Sequence, residues 1–348
     1  MVGKTSLFTI LTGVHEATRV GQMEARIGMT KVPDARLPEL AKLFDPPKIT
    51  YATVEYLDVP ALTKEALANP SYVGSLRQVD ALAQVLRVFD SDTVPHEKGS
   101  VDAVRDAEDL DVELLLNDLV VVEKRLERLD KDRKKLKDPK LDVEFALLER
   151  FKAALTDTIP LRNLEITAEE EKLVRGFQLL SMKPMLYVLN VGEEDAAKMA
   201  EVEARYRSGP LGNRPKTAIT AVAGKIEAEL AELSPEEAKD LLESFGLSEP
   251  GLDRLINATY TLLGLMSFLT AGDTEVRAWT IPIGSKAPQA GGAIHTDLEK
   301  KFIRAQAVNW KDLCDLGGYA GVREKGLLRL EGKEYVVQDG DVIEIRHS

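Results

Sequence analysis

The sequence predicts an α/β protein built on a parallel sheet, interrupted by a helical insertion and followed by a small α+β domain. Three observations support this. Helix-like and strand-like stretches alternate up to about residue 108, a long helical pattern then begins near Ala107, and short strand-like stretches return after residue 273. Alternation of the first kind is typical of a parallel sheet whose strands are joined by helices.

The first part contains three clear stretches. Residues 5–14 have the pattern of a helix, 50–59 that of a strand, and 74–89 again that of a helix. The strand pattern returns at 183–191, a nearly continuous apolar run that suits a strand buried on both faces. Helices are predicted within 233–246 and 249–268, each with a clear starting signal.

The insertion has the pattern of an antiparallel helical hairpin. Apolar residues recur at a spacing of three or four, namely Leu115, Leu119, Val122, Leu126 and Leu129. The pair Asp138-Pro139 interrupts the pattern and predicts the turn. Thr167 and Glu170 have the spacing of a capping box, which predicts the start of a further helix. The last part predicts strands within 275–283, 327–332 and 334–346 around one helix.

Composition excludes several classes of protein. The 348 residues carry a net charge of −12, one cysteine and four histidines. A single cysteine forms no internal disulfide, and scattered histidines predict no structural zinc site. The sequence shows no apolar run of membrane-spanning length and no secretion signal, so a cytoplasmic protein without a membrane partner is expected. The acidic balance argues against general coating of nucleic acid, although a local basic patch remains compatible with it.

The N-terminus contains the end of a phosphate-binding loop. Gly3, Lys4, Thr5 and Ser6 match the last third of G-x-x-x-x-G-K-[ST], in which the lysine contacts the β- and γ-phosphates and the hydroxyl binds Mg²⁺. Asp58, at the end of the strand-like stretch 50–59, suits a second magnesium ligand. An ordinary N-terminus and a turn aspartate remain the alternatives.

A candidate base-recognition motif follows the second strand-like run. Asn190 and Glu193 have the Asn-x-x-carboxylate spacing with which GTPases bind a nucleotide base. The alternative is a strand-to-helix loop with an acidic first turn.

These motifs resemble the Obg-like ATPase family, in its YchF subfamily. The resemblance covers the whole chain and is most specific in "EVRAWTIPIGSKAPQAGGAIHTDLEKKFIRAQAV" and "EGKEYVVQDGDVIEIR", with "DARL" and "KPMLYVLNVGEED" in support. It implies a P-loop nucleotide-binding domain at 1–108 and 181–272, an inserted helical domain at 109–180 and a TGS domain at 273–348. It also implies a preference for ATP over GTP and association with the ribosome, whereas Mg²⁺ and slow ATP hydrolysis are expected from Lys4, Thr5 and Asp58 in the absence of an obvious catalytic side chain. The predicted nucleotide-binding residues are Val2, Gly3, Lys4, Thr5, Ser6, Asn190, Val191 and Glu193, and the predicted metal ligands are Thr5 and Asp58.

The chain departs from the family pattern around the nucleotide. The Asp-x-x-Gly motif ends in Ala61, the magnesium-binding switch threonine falls on Gln22, and an acidic position near the base is Gly224. No catalytic side chain is identified. Slow hydrolysis and a non-hydrolysing, nucleotide-sensing or nucleotide-independent adaptor for the ribosome or RNA therefore both remain open, and a purely structural scaffold is the weakest alternative.

The front of the phosphate loop and the strand before it are missing from the sequence. We expect a strand of ~5–6 residues to precede the first loop glycine in the working protein, so that roughly ten residues are lacking. Evolutionary loss of this strand is the alternative.

The tip of the hairpin is basic. Between Lys124 and Lys140 nine basic residues face four acidic ones. The candidates for contact with ribosomal RNA are Lys131, Arg133, Lys134, Lys135 and Lys137, because phosphate binding needs local positive charge. A solvated helix face with i,i+4 pairs is the alternative, and no DNA specificity is expected.

Overall fold

A computed structural model describes residues 2–14, 25–60, 64–91, 94–96, 98–136 and 138–347. The helices in these residues are α1 Lys4–Thr12, α2 Arg36–Phe44, α3 Lys64–Leu67, α4 Pro70–Gln78, α5 Ala103–Leu136, α6 Pro139–Thr156, α7 Ala168–Val174, α8 Met199–Arg207, α9 Gly224–Leu230, α10 Pro235–Ser244, α11 Gly251–Leu262, α12 Ala287–Ile294, α13 Thr296–Lys300, α14 Trp310–Asp315 and α15 Tyr319–Glu324. The strands are β1 Arg26–Lys31, β2 Ile49–Thr50, β3 Thr53–Asp58, β4 Leu82–Arg87, β5 Met185–Asn190, β6 Thr217–Val222, β7 Leu265–Ala271, β8 Val276–Pro282, β9 Phe302–Asn309, β10 Arg329–Glu331 and β11 Asp341–His347. Four short 3-10 helices lie at Leu161–Asn163, Arg175–Phe177, Leu180–Met182 and Glu193–Lys198.

The chain divides into two compact units. The first contains residues 1–28 and 56–258, and the second contains 29–55 and 259–348. The strands form three sheets: β1 with β3, the order β4-β5-β6, and the order β10-β9-β11-β7-β8-β2. The three domain ranges given by the sequence resemblance stay a prediction.

The first unit contains the predicted parallel sheet. β5 pairs in parallel with β4 and β6 over six residues on each side. All six residues of β5 are buried, as expected for a strand covered on both faces. The helix predicted over 74–89 is wrong in its second half, because α4 ends at Gln78 and Leu82–Arg87 is a strand. The spacing of Leu82, Val85 and Leu86 suits a short buried strand as well as a helix, and pairing with β5 decides between them.

The predicted hairpin is confirmed as α5 and α6. Asp138 precedes α6 and its carboxylate accepts the N–H of Lys140, with Pro139 in the first helical turn. The hairpin has its own apolar core, in which Leu129, Leu148 and Phe151 are fully buried. The capping box of Thr167 and Glu170 is also confirmed, at the start of α7.

The second unit is built on the six-stranded sheet. β9 and β11 pair antiparallel, as do β7 and β8, whereas β11 and β7 are parallel. Two expectations are corrected here. The helix within 249–268 ends at Leu262 and Leu265–Ala271 is a strand, and four short helices, not one, follow β8. The strand β9 is not among the strands predicted from the sequence.

Membrane insertion through a helix has no support in the described ranges, where no helix is both long and apolar enough to cross a bilayer.

Candidate nucleotide site

Helix α1 starts at the predicted phosphate loop. Gly3 precedes it with φ 88° and ψ 6°, a left-handed conformation that glycine adopts without strain. A Cβ at this position would also lie 2.5 Å from Nδ2 of Asn190. Leu7 and Phe8 are buried and fix the helix against the rest of the unit. The free N–H groups of its first turn therefore lie beside Lys4 and Thr5, as anion binding at a helix N-terminus requires.

The two predicted metal ligands lie together. The Thr5 hydroxyl is 3.5 Å from Oδ2 of Asp58, the last residue of β3. The Lys4 ammonium lies 3.1 Å from Oδ1 of the same carboxylate and also donates to the carbonyl of Val59. Oδ1 of Asp58 accepts no hydrogen bond, so its contact with the Lys4 ammonium is an ion pair only. The lysine and the hydroxyl, adjacent in sequence, thus meet a carboxylate that lies 53 residues beyond Thr5.

A fourth side chain, not predicted from the sequence, completes this cluster. The guanidinium of Arg26, the first residue of β1, donates to Oδ2 of Asp58. It also lies over the ring of Phe8, 5.1 Å from the centroid. Asp58 is therefore faced by two cations and one hydroxyl.

These residues fit a magnesium ion in the chemistry of their donors. Mg²⁺ prefers oxygen ligands and keeps several of its waters, taking one or two protein oxygens together with substrate phosphates. The Asp58 carboxylate and the Thr5 hydroxyl supply such oxygens. Among the described residues no group of three or more His, Cys, Asp or Glu side chains forms a metal site of the all-protein kind.

Asn190 joins the two ends of the predicted site. Its side-chain NH₂ donates to the carbonyl of Val2, 3.0 Å away, and its Oδ1 accepts the N–H of Gly224 at 3.0 Å. Asn190 ends β5 and is itself buried. It therefore holds the segment before α1 and the start of α9 beside the end of the parallel sheet.

The carboxylate of the base motif has a partner. Glu193 opens the 3-10 helix after β5 and accepts a hydrogen bond of 2.6 Å from the ammonium of Lys225, the second residue of α9. This bond raises the pKa of Lys225, so the ammonium is charged at neutral pH. Lys225 follows Gly224, so the loop held by Asn190 also carries the cation that faces Glu193.

The remaining predicted site residues have less specific surroundings. The Val191 N–H donates to the carbonyl of Val222 at 2.9 Å and its side chain is buried, so its carbonyl is the group left for a base. Ser6 is exposed on the first turn of α1. Gln22, Ala61 and Lys137 lie outside the described residues.

Comparison with known proteins shows the family. The chain is 43% identical to a Bacillus subtilis protein named ribosome-binding ATPase YchF, over 100% of this chain and 96% of that protein. It is 37% identical to the protein of the same name from Escherichia coli O157:H7, over 98% of this chain and 95% of that protein. This chain belongs to the YchF family.

Two further comparisons agree with YchF membership. A solved structure titled as that of the Schizosaccharomyces pombe YchF GTPase superposes with a TM-score of 0.84 at 28% identity, covering 99% of this chain and 95% of that one. The family model YchF-GTPase_C, described as "Protein of unknown function (DUF933)", matches residues 265–348. The α/β fold and the C-terminal YchF region are thereby confirmed.

The basic tip of the hairpin in this YchF chain is partly neutralised. Arg133 pairs with Asp142 at 2.5 Å and Lys134 with Asp130 at 2.6 Å. Lys131 and Lys135 are exposed and have no acidic partner among the described residues. Lys131 and Lys135 therefore remain available to a phosphate backbone, together with exposed cations such as Arg128 and Lys140.

Sequence reasoning missed Arg26 and Lys225. Neither belongs to a recognised spacing, and an isolated arginine or lysine carries no signal of its own. The sequence offers one indirect clue: a buried acidic residue proposed for a metal or a base is expected to have a counter-charge nearby.

Proposed function

We propose that this chain binds Mg-ATP at the N-terminus of α1, hydrolyses it slowly and acts on the ribosome. The relatives are named ribosome-binding ATPases. The observation that carries the proposal is the meeting of Lys4, Thr5 and Asp58 beside the first turn of α1.

Each residue has a role that follows from its position. Lys4 holds the β- and γ-phosphates, and the N–H groups of the first turn of α1 donate to their oxygens. Thr5 and Asp58 would hold Mg²⁺, which when bound neutralises charge on the phosphates. No general base is assigned, and positioning and electrostatics alone predict slow turnover.

We further propose adenine as the preferred base. Guanine presents two donors, N1–H and the 2-amino group, to a free carboxylate, whereas adenine presents one amino group and an N1 acceptor. The Glu193 carboxylate already accepts a hydrogen bond from Lys225, so it is a weaker acceptor for the two N–H donors of guanine. Asn190, through its contacts with Val2 and Gly224, supports the base-side wall of the site.

Three further predictions from the sequence are part of this proposal. The tip lysines contact ribosomal RNA, residues 273–348 act as a TGS domain, and the protein works in the cytoplasm.

The test uses purified protein with Mg-ATP. Phosphate release and the Kd of the non-hydrolysable analogue AMP-PNP are measured for wild type, K4A and the control K42A, whose lysine is exposed and paired with Glu39. A charged hydrogen bond contributes about 1.5–3 kcal/mol, so K4A should weaken AMP-PNP by roughly 10- to 100-fold while K42A binds as wild type. Absence of nucleotide binding by wild type would overturn the proposal.

A second candidate function is an adaptor that does not hydrolyse ATP. The observation that favours it is the pairing of Asp58 with Arg26 and Lys4, which occupies the proposed metal ligand. Ribosome co-sedimentation of wild type and K4A distinguishes the two. Equal sedimentation together with no phosphate release from wild type supports the adaptor.

A further inference from the structure

Arg26 lies where a nucleotide and its metal ion would meet. Its side chain is 12% exposed and that of Asp58 is 6% exposed, against 35% for Lys4. The guanidinium is held from two sides, by the carboxylate of Asp58 and by the ring of Phe8 on α1. An ion pair shielded from water in this way is stronger than one at the surface.

The pairing has a consequence for the metal. Oδ2 of Asp58 accepts from Arg26, and Oδ1 faces the ammonium of Lys4. Oδ2 is therefore engaged, Oδ1 accepts no hydrogen bond but lies beside an ammonium, and the two positive charges repel a divalent cation. Arg26 must leave Asp58 before Oδ2 can join a magnesium site.

Phosphate oxygens offer Arg26 a better partner. Guanidinium groups bind phosphates through two parallel hydrogen bonds, with more charge on the acceptor than a single carboxylate carries. Lys4, the residue expected to hold the phosphates, touches the same carboxylate as Arg26. A phosphate held by Lys4 is thus within the reach of a rotated Arg26 side chain.

We propose that Arg26 is a gate between Asp58 and the nucleotide. Without nucleotide it occupies Asp58 and weakens metal binding. With nucleotide it moves to the phosphates and frees Asp58. Nucleotide and metal therefore bind cooperatively, and the coupling between them is reciprocal. This inference rests on the proposed binding of Mg-ATP at Lys4, Thr5 and Asp58.

The size of the effect follows from populations. The apparent affinity for the metal is reduced by the fraction of molecules in which Asp58 is free. If Arg26 occupies Asp58 in nine molecules of ten, removal of the guanidinium raises metal affinity about tenfold. The loss of its phosphate contacts weakens metal-free nucleotide binding at the same time.

The test measures binding and not turnover. Mn²⁺ replaces Mg²⁺ as an EPR probe, titrated into full-length wild type, R26Q and R26K with and without AMP-PNP. AMP-PNP affinity is measured in parallel with EDTA present. The control R105Q removes an arginine that pairs with Asp106 on α5, away from the cluster, and melting curves establish that each variant is folded.

For R26Q we expect nucleotide-free Mn²⁺ affinity to rise at least threefold, metal-free AMP-PNP affinity to fall at least threefold, and coupling between them to shrink. R26K should be intermediate, because lysine keeps the charge and loses the bidentate fork. R105Q should match wild type.

Unchanged or weaker Mn²⁺ binding by R26Q overturns the gate. Independent binding of Mn²⁺ and AMP-PNP by wild type also overturns the gate, whereas failure of wild type to bind AMP-PNP under either condition overturns the proposed site itself, so the two failures are distinguishable. Should R26Q not fold, R26K alone decides, since a gate requires its Mn²⁺ affinity to exceed that of wild type.

Discussion

The ammonium of Lys225 donates a hydrogen bond of 2.6 Å to the carboxylate of Glu193. Glu193 has the spacing of a base-recognition carboxylate, and Lys225 follows the glycine that Asn190 holds in place. A carboxylate already paired with an ammonium is a weaker acceptor for the two N–H donors of guanine. We therefore expect the base specificity of the proposed site to depend on Lys225, a residue outside the Asn-x-x-Glu motif.

Replacing Lys225 by methionine should shift base preference toward guanine. Both side chains of the pair are exposed, so screening by solvent keeps its contribution small. We therefore expect K225M to bind GTP roughly two- to fivefold more tightly, with little change for ATP. Fluorescence competition titrations measure both constants. K239M removes a lysine paired with Glu243 elsewhere and should change neither. An unchanged or lower GTP-to-ATP affinity ratio in K225M would contradict the prediction.

Charge reversal at the hairpin tip should weaken ribosome binding. Lys131 and Lys135 are exposed lysines of the tip, and neither has an acidic partner in the described part of the chain. We expect the double variant K131E/K135E to co-sediment less with ribosomes and to show a shallower dependence on salt, because fewer counterions are released. The control K198E/K239E carries the same charge change on exposed residues of α10 and the 3-10 helix after β5. Equal sedimentation of the two double variants across salt would exclude the tip as the contact.

How far the sequence predicts this molecule depends on whether a feature is local. The hairpin turn at Asp138-Pro139 and the capping box at Thr167 are set by neighbouring residues, and both are confirmed. Residues 82–87 were misassigned because their spacing suits a helix and a strand, and only pairing with β5 distinguishes them. The same holds for Leu265–Ala271, whose partner β8 follows it in the chain.

Prediction of the candidate site is limited in the same way to features set by neighbouring residues. Lys4, Thr5, Asn190 and Glu193 could be predicted because each belongs to a short motif. Arg26 could not, because its role depends on a contact with a residue 32 positions away and no spacing rule connects the two.

Neutralising Glu227 should change how stability depends on pH. The carboxylate of Glu227 on α9 is buried and accepts the N–H of Gly251 at 2.6 Å, at the start of α11. Burial raises its pKa above the ordinary value, with the backbone hydrogen bonds opposing the shift. A carboxyl group with a raised folded-state pKa binds more protons when folded, so its contribution is present at low pH and is lost as the pH rises through that pKa.

We therefore expect wild type to lose stability relative to E227Q as the pH rises from about 4.5, the ordinary pKa of glutamate. Melting temperatures of both proteins between pH 4.5 and 7.5 measure the difference. E237Q, at an exposed capping glutamate whose pKa is lowered, is a control whose difference from wild type should stay nearly constant over this range, because a lowered pKa changes stability below about 4.5. A wild type that gains stability over E227Q with rising pH would show that hydrogen bonding to the ionised form prevails over burial.

A buried charge network between the hairpin and the sheet predicts which substitutions should destabilise the protein most. Asp111 on α5 accepts from Arg162, which is fully buried, and from Arg214 at 2.8 Å. Arg162 Nε and Nη1 are buried without a hydrogen-bond partner among the described residues. Removing Asp111 leaves two arginines without their shared carboxylate, whereas removing Arg162 leaves Asp111 paired with Arg214. Breaking a buried pair so that a charge remains costs about 3–5 kcal/mol.

We accordingly expect D111A to lower the melting temperature much more than R162M, which replaces a poorly satisfied guanidinium by an apolar chain. The double variant D111A/R162M should recover part of the loss, because one stranded charge is then absent. Thermal melting followed by circular dichroism measures all three variants. D109A is the control, because it removes an exposed carboxylate on the same helix that pairs with Lys98 at the surface. If R162M lowered the melting temperature as much as D111A, packing of the Arg162 side chain would be its main contribution to stability. The double variant would then melt at a lower temperature than either single variant.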